Sequence, residues 1–515
     1  MTNAPAAAPL VLFNSLTREA RPFVPIDPAM VRLYSCGPTV YNFAHLGNLR
    51  AYVFTDTLRR VLNWKGYAVN HVINITDVGH LTSDADEGDD KMEAAARTQN
   101  KTIWDIAAFY TDAFKADLAH LNIRQPTIWS VATDHIQDMI AFARRIEANG
   151  AAYELESGLY FDTGTVPDYG RLAGSRADES GPEVARIEAV EGKRRASDFA
   201  IWRRSTPGEQ RQMEWLSPWG PGAPGWHLEC SVMSMKYLGS QFDIHTGGID
   251  HREIHHCNEI AQNQAFTNSA ETGANIWMHN NFLVDRGGKM SKSKGGFATL
   301  RGLIDRGVHP LAYRLLCLSA HYRSELEFSP EGVGAAFTRL KRLAMGVAQL
   351  RAKLDGTPDW LRVLGEIDAS KGAALDYQRT RLEDGLPKPA LDILGRFDAA
   401  VSADLNVPQA LPLIDELIGL KSLSAEDRLR ALASMDLVLG FGLLDLDRAM
   451  LRVRPANADL DEAAIDAAIA ERAAARAAKD YATSDAIRDR IAAQGVDLMD
   501  GDPLGWDWKP RLDDQ

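Results

Sequence analysis

The stretch that most restricts this chain is Tyr34 to Asn48, which reads Tyr-Ser-Cys-Gly-Pro-Thr-Val-Tyr-Asn-Phe-Ala-His-Leu-Gly-Asn. Met30 to Tyr34, just ahead, reads as a short buried strand. Behind it, Leu49 to Trp64 sets Val53, Thr57, Leu58, Val61 and Leu62 on one helical face, with Gly66 as a stop. Tyr67 to Ile75 alternates and β-branches like a second strand. Strand, glycine-bearing turn, helix and strand make one βαβ unit. His45, Gly47 and Asn48 fall where the turn enters the helix. There the N–H groups of the first turn and the positive end of the helix dipole face any anion. Gly47 allows close approach, and His45 and Asn48 can both donate hydrogen bonds to phosphate oxygens. The reading is a nucleotide site.

The βαβ unit uses a small part of 515 residues, so two to four domains are expected. A net charge of −13 argues against indiscriminate binding to polyanions but leaves a local RNA-binding patch open. No apolar run approaches the roughly 18 residues of a membrane span, and no secretory signal is read at Met1 to Leu10. Four cysteines are too few for a disulfide framework, so a reduced, cytoplasmic compartment is expected.

Along the chain, Asn74-Ile-Thr-Asp77 ends a strand where ligands gather in open α/β sheets, and the acidic run after it reads as a loop. Thr102 to Leu121 and Thr133 to Asn149 read as amphipathic helices. Tyr153 to Trp219 changes character, with short strand-like pieces and the basic cluster Lys193, Arg194 and Arg195, and reads as an insertion. Regular structure then resumes. Phe242 to His245 is expected as a strand, Thr246 to Gly248 as a turn, His255 to Ala265 as a helix and Trp277 to Val284 as another strand. Beyond Pro330 the strand signal stops. Ala335 to Leu354, Ala390 to Leu405, Val407 to Leu420 and Ala425 to Leu439 read as helices of a bundle, and Leu460 to Gln494 as two more.

Two groups of residues suggest chemistry. Lys289-Met-Ser-Lys-Ser293 lies between glycine pairs, and its two lysines could close over a triphosphate, delivering charge where a transition state at phosphorus needs it. Alone, such a loop reads as a solvated turn; downstream of the His45–Asn48 turn it reads as a phosphate clamp. His255 and Glu259 are an i, i+4 pair on one helical face, and with Cys36 and Cys230 they form a donor set suited to tetrahedral Zn²⁺. Spacing alone makes the two cysteines ordinary buried ones. The same helical geometry points His256 and Cys257 off the ligand face.

These two phosphate elements resemble the HIGH and KMSKS motifs of class I aminoacyl-tRNA synthetases. Cys36-Gly-Pro-Thr-Val-Tyr41, Gly225-Trp-His-Leu-Glu-Cys-Ser231, Phe242-Asp-Ile-His245 and His255-His-Cys-Asn-Glu-Ile-Ala-Gln262 resemble, in order, the cysteinyl-tRNA synthetases. The likeness runs from about Leu12 to Lys509. It implies an α/β fold: a Rossmann-like catalytic domain over 1–329, an α-helical bundle over 330–455 and a small C-terminal anticodon-recognition domain over 456–515. The catalytic part would carry a connective insertion at about 125–225 and the KMSKS loop at 289–293.

The resemblance further implies one Zn²⁺ on Cys36, Cys230, His255 and Glu259, selecting the thiol of cysteine over the hydroxyl of serine. Reliable translation needs discrimination on the order of 10⁴, about 5.5 kcal/mol, which a metal–sulfur bond can supply without an editing site. ATP, accompanied by Mg²⁺, would lie over His45 and Asn48, with adenosine near Gly247, Gly248 and Asp250. Lys289 and Lys292 would receive the pyrophosphate, and Trp226 and His245 would wall the amino-acid pocket. The implied partners are L-cysteine, ATP and tRNA(Cys), with no membrane and nothing demanding more than a monomer. Four departures from the family pattern stand out: Asn48 for a second His, Thr246 for Gly, His251 to Ile254 for a more hydrophobic stretch, and an added loop at Gly79 to Asp89. Two rivals are weighed: a ligase joining cysteine to an amino sugar, which would lack the tail from Leu460 to Lys509, and a catalytically silent RNA-binding paralogue, which would not need the metal and lysine positions together.

Overall fold

The computed structural model describes residues 8–78, 91–99, 101–174, 192–206, 211–285, 288–289, 299–361, 372–500, 502 and 504–512. The expected unit is there as β1 (Val31–Ser35), α1 (Leu46–Trp64) and β2 (Val69–Ile75). With β3 (Ile128–Val131), β4 (Phe242–Gly248) and β5 (Ala274–Asn280) they form a five-stranded sheet, ordered β5-β4-β1-β2-β3 and parallel throughout. From β1 the chain adds strands to one side, then returns to place β4 on the other. The order therefore reverses at the seam between β1 and β4, where an open parallel sheet gapes at its carboxyl ends. Both faces are covered, as such a sheet requires. Leu33 and Ile73 pack into one apolar cluster while their neighbours Tyr34 and Val72 pack into another.

Helix α1 begins three residues before its apolar stripe does, because His45 and Asn48 close a reciprocal cap. The Asn48 amide donates to His45 Nδ1 at 3.1 Å and the His45 amide donates to Asn48 Oδ1 at 3.2 Å. Strand β4 runs through Thr246–Gly248, which were expected as a turn, since those residues pair with Met278–Asn280 of β5. The strand expected over Trp277–Val284 breaks at 281–282, where the Asn281 amide donates to the Tyr322 carbonyl instead of to a sheet partner. It resumes as β6 (Leu283–Asp285), antiparallel to β7 (Gly288–Lys289) and parallel to β8 (Leu326–Glu327).

Between β3 and β4, a four-stranded antiparallel sheet of Ala152–Leu155, Gly158–Phe161, Phe199–Arg204 and Gly222–Pro224 accounts for the strand-like pieces of the insertion. It leads into α2 (Trp226–Leu238), which packs on α3 (His255–Thr267) and on β1 and β2. Helix α4 (Pro310–Leu318) precedes the helical part, which holds Pro330–Arg351, Gly372–Glu383, Lys388–Ser402 and Ala425–Leu439. The expected Val407–Leu420 helix is split into Val407–Ala410 and Pro412–Gly419. Pro412 at the join has no amide hydrogen to continue the ladder. Glu462–Ala477, Tyr481–Ala493 and the hairpin of Val496–Leu498 with Trp506–Trp508 share a separate apolar cluster around Ile465, Ile491 and Trp508.

Helix α1 is tied to the helical part by a buried charge node. Arg314 on α4 donates to Asp56 Oδ2 at 2.7 Å, to the Leu439 carbonyl at 2.7 Å and to the Leu121 carbonyl at 3.0 Å. Arg60 adds a second bond to Asp56 at 2.7 Å. Burial alone would raise the Asp56 carboxyl, but Arg60 and Arg314 together hold it well below the usual carboxylate range.

Candidate functional site

At the β1/β4 seam lies a cavity of about 280 Å³, lined by Cys36, His45, Gly47, Asn48, Trp226, Gly247, Gly248 and Asp250 among others. Cys36, His45, Gly47, Asn48, Trp226, Gly247, Gly248 and Asp250, all singled out from the sequence, thus share one wall system. At the head of α1, the cap fixes the chemistry of two of them. Because His45 Nδ1 accepts from Asn48, the imidazole proton sits on Nε2; because Asn48 Oδ1 accepts from His45, its amide nitrogen is left to donate. Asn48 thereby fills the cap and a donor position together.

The turn after β1 is held by β2. Gly37 donates its amide to Asn74 Oδ1 at 2.7 Å, and a Cβ at Gly37 would lie 1.5 Å from the Asn74 carbonyl oxygen. Only glycine lets the backbone press this close. Cys36 is further pinned by its amide, which donates to the Thr246 carbonyl on β4 at 3.2 Å. From the other face, Thr76 donates to Glu229 at 3.1 Å and Asn74 to Thr76 at 3.0 Å, drawing the start of α2 onto the end of β2. Cys230, the next residue of α2, comes with it.

As a result Cys36, Cys230, His255 and Glu259 offer four ligand atoms, all within 4.8 Å of one another. Tetrahedral zinc with bonds of about 2.0–2.3 Å sets its ligands about 3.3–3.8 Å apart, so a small inward adjustment suffices. Glu259 Oε1, fully buried, stands 3.1 Å from His255 Nε2 and, among the described residues, makes no hydrogen bond of ordinary geometry. A buried carboxylate oxygen so placed suits a cation. The donor set therefore fits Zn²⁺, on geometry and on softness.

The same chemistry shows in the acidities. Burial would raise Glu259, but His245 and His255 bring its carboxyl down to about 2. Burial would lower His255, yet Cys230 and Glu259 raise it to about 10. Of the two thiols, burial pushes Cys36 up, while the bond it gives Cys230 lowers that thiol to about 7. A thiol of lowered pKa, a carboxylate and a ring drawn to both are assembled at one point.

His256 is a correction. It was expected to point off the ligand face, but its Nε2 is 3.3 Å from Cys36 Sγ and 3.8 Å from Glu259 Oε1. With Cys36, His245 and Glu259 it makes a second set of four mutually close donors. The reason is that i, i+3 also shares a helix face, and β1 delivers Cys36 between the two histidines. Cys257 does point away, its thiol bonding the Arg252 carbonyl at 3.3 Å. His245 is fully buried below the cavity, bonded to Glu259 at 3.1 Å and stacked on Trp277, whereas Trp226 lines the cavity with its ring 4.4 Å from that of His255. Three further histidines, to which the sequence reading gave no role, stand here. His227 meets His255 Nδ1 at 2.9 Å, His279 meets His256 Nδ1 at 2.8 Å, and His251 lines the cavity. His227 lies within the Gly225–Ser231 motif and His251 within the departing 251–254 stretch, while His279 had no signal in the sequence.

Lys289 is described only as backbone, paired with Val284 in β7; Lys292 and the Gly79–Asp89 loop lie outside the described residues. The far stem of that lysine-bearing segment returns at Thr299, which bridges backbone to backbone with His45.

Residues 22–338 match the family described as tRNA synthetases class I (C) catalytic domain. The chain is 67% identical over 515 residues to a cysteine–tRNA ligase of Zymomonas mobilis, covering 99% of each, and 59% identical over 509 residues to one of Novosphingobium aromaticivorans, covering 98% and 97%. In fold it is similar to a Mycobacterium tuberculosis methionyl-tRNA synthetase bound by methionyl-adenylate. That match has a TM-score of 0.52 at 18% identity and covers 82% of this chain and 97% of that one. An Agrobacterium radiobacter leucyl enzyme in complex with tRNA gives a TM-score of 0.52 at 12% identity, covering 84% and 88%.

Proposed function

The chain belongs to the cysteine–tRNA ligase family of class I tRNA synthetases, and from that premise we propose how its residues activate L-cysteine with ATP and pass it to the 3′ end of tRNA(Cys). The observation that carries the proposal is the junction at Cys36, which belongs both to the four-donor cluster and to the cavity bearing the His45–Asn48 cap. A thiol recognised at the cluster has its carboxylate directed toward a phosphate held at the cap.

Cys36, Cys230, His255 and Glu259 would hold Zn²⁺, with His227 orienting the His255 ring from behind. Bound there, the ion supplies a soft Lewis-acid position that a thiol fills far better than an alcohol. His45 Nε2 and the Asn48 amide donate to ATP phosphate oxygens at the start of α1. Gly247, Gly248 and Asp250 receive the nucleoside at the end of β4, and Trp226 and His245 shape the amino-acid side. The cysteine carboxylate attacks the α-phosphorus, pyrophosphate leaves toward Lys289 and Lys292, and cysteinyl-adenylate remains; Mg²⁺ accompanying ATP would offset the phosphate charge. A terminal ribose hydroxyl of the tRNA then attacks its carbonyl carbon and AMP departs. No side-chain nucleophile is needed. We assign RNA contact to the helical part and to the separately packed unit after residue 456, and work in the cytoplasm; among the described residues no helix is long and apolar enough to cross a membrane.

The deciding experiment is cysteine-dependent ATP–pyrophosphate exchange, followed by offering the activated cysteine to tRNA(Cys) or to free amino sugar. Exchange with transfer to tRNA alone is expected. Transfer to the sugar assigns the chain to the other chemistry, and absence of exchange makes it a silent paralogue.

A further inference from the structure

We propose that Phe43, Phe109 and Lys101 form a stacking platform at the mouth of the cavity. An unpaired base near the 3′ end of the tRNA lies on it while the terminal ribose reaches the adenylate. The inference deepens the ligase reading and rests on it. Phe43 stands in the turn between Cys36 and the His45–Asn48 cap and lines the cavity, yet it is 42% exposed. Its neighbour comes from another element. On the helix Ile103–His120, the residues that pack inward are Ile103, Ile106, Ala107, Tyr110, Phe114 and Leu118. That stripe already makes a full apolar face, so Phe109, outside it and 46% exposed, is not required by the core. Phe43 meets Phe109 with ring centroids 5.9 Å apart and Tyr110 at 5.0 Å, both edge to face. Phe109 and Tyr110 meet in the same way at 5.1 Å. Tyr110 is buried, and its hydroxyl accepts from Gln99 Nε2 at 3.0 Å, so it anchors the two exposed rings to the body of the fold.

Such rings are not scattered over the surface. Among the described residues four aromatic side chains are exposed, Phe43, Trp104, Phe109 and Tyr481, and the first three lie on this helix or touch it. Exposed apolar groups gathered at one place mark a binding surface more than the same groups spread singly. Charge stands beside them. Lys101 Nζ is 4.9 Å from the centroid of the Phe109 ring, while Asp105 on the same helix is engaged in its cap, accepting from the Thr102 hydroxyl at 2.7 Å. The occupant follows from the reaction. Transfer brings a terminal ribose hydroxyl into a cavity of about 280 Å³, which admits no duplex, so the nucleotides that cross its mouth are unpaired. Unpaired bases stack on aromatic side chains and their phosphodiesters seek cations; two half-exposed rings beside an ammonium meet both demands.

The test is Phe109→Leu in the full chain, which keeps an apolar side chain and removes the ring. Cysteine-dependent pyrophosphate exchange, a reaction that uses no RNA, is expected at the wild-type rate with the KM for ATP unchanged. Single-turnover transfer from enzyme-bound cysteinyl-adenylate to subsaturating tRNA(Cys) should slow about tenfold, and Phe109→Tyr, which keeps a ring, should restore it. A tRNA(Cys) carrying fluorescent aminopurine in place of an unpaired 3′ base reads the stacking directly. Its emission should be quenched on binding the wild type and Phe109→Tyr, and stay bright on Phe109→Leu. Transfer at the wild-type rate in Phe109→Leu, or quenching that survives it, overturns the inference and leaves the ligase reading standing. Lost exchange or a raised KM for ATP in that variant would assign the ring to the activation cavity, and overturns it as well. Absence of exchange in the wild-type chain removes the ligase reading, and the inference with it.

Discussion

Gly37→Ala should separate the metal cluster from the rest of the fold. The added methyl would stand 1.5 Å from the Asn74 carbonyl oxygen and 2.6 Å from its carbon, both backbone atoms that no rotamer change can move. Reaching even the 3.0 Å floor of real Cβ contacts requires the turn to withdraw by about 1.5 Å, which also stretches the 2.7 Å bond from the Gly37 amide to Asn74. Cys36 is the adjacent residue, and metal ligands tolerate displacements of only about 0.2 Å. Overpacking of this kind costs about 1–3 kcal/mol, so the melting transition of the catalytic part should fall by about 4–8 °C for 2 kcal/mol. Zinc measured by mass spectrometry on the purified protein should drop from one equivalent to well under half, and pyrophosphate exchange by about 100-fold. A variant that melts normally and holds one zinc would show that the turn yields elsewhere, and the argument that β2 positions Cys36 would fall.

The cluster makes a simpler claim through Cys230→Ser, which should lose bound zinc and most cysteine activation while the far-UV spectrum stays native; retention of both removes zinc from the mechanism. At the charge node, Arg314→Met leaves the Asp56 carboxylate with one fewer buried partner and should destabilise the protein by about 3–5 kcal/mol in a chemical-denaturation series. Since Asp56 is depressed in the fold, its stabilisation is fully present above about pH 4, the unfolded value, and is lost as pH falls toward its lower folded value. Asp56→Asn should therefore flatten the acid limb of a stability–pH curve, and an unchanged slope there would contradict the node's electrostatics. Finally, Asn48→Ala removes both a cap acceptor and a phosphate donor and should raise the KM for ATP more than tenfold, whereas Asn48→Asp, which keeps the cap but repels phosphate, should be worse.

How much of this was legible in the sequence depends on which interactions are local. The βαβ unit, the helix start and the alternation in β1 and β2 follow from neighbours a few residues apart, so periodicity revealed them. Helix α1 beginning at Leu46 rather than Leu49 still obeys a local rule, the His45–Asn48 cap, but one that apolar spacing does not report. The continuation of β4 through Thr246–Gly248 depends on pairing with Met278–Asn280, and the break at 281–282 on the Tyr322 carbonyl; neither partner is within thirty residues of a β4 reader or forty of an Asn281 reader, by the pairings themselves. Helix α4, whose Arg314 closes the charge node, was not read as a helix at all.

The candidate metal site shows the same division at higher stakes. His255 and Glu259 are visible as an i, i+4 pair, but spacing cannot say that Cys36 and Cys230 meet them. That convergence is made by β1 ending against β4, by Gly37 pressed onto Asn74, and by Thr76 drawing Glu229 and Cys230 inward. The His256 correction has the same origin: a helix offers both its i+3 and its i+4 faces, and only the strand that arrives opposite decides which of them becomes a ligand face. The glycine, the asparagine and the threonine carry no reactive group, yet they decide where the reactive ones stand. In this fold the chemistry of the site is written in residues that a search for chemistry would pass over, and for that reason Gly37, rather than any ligand, is the position at which the argument is most exposed.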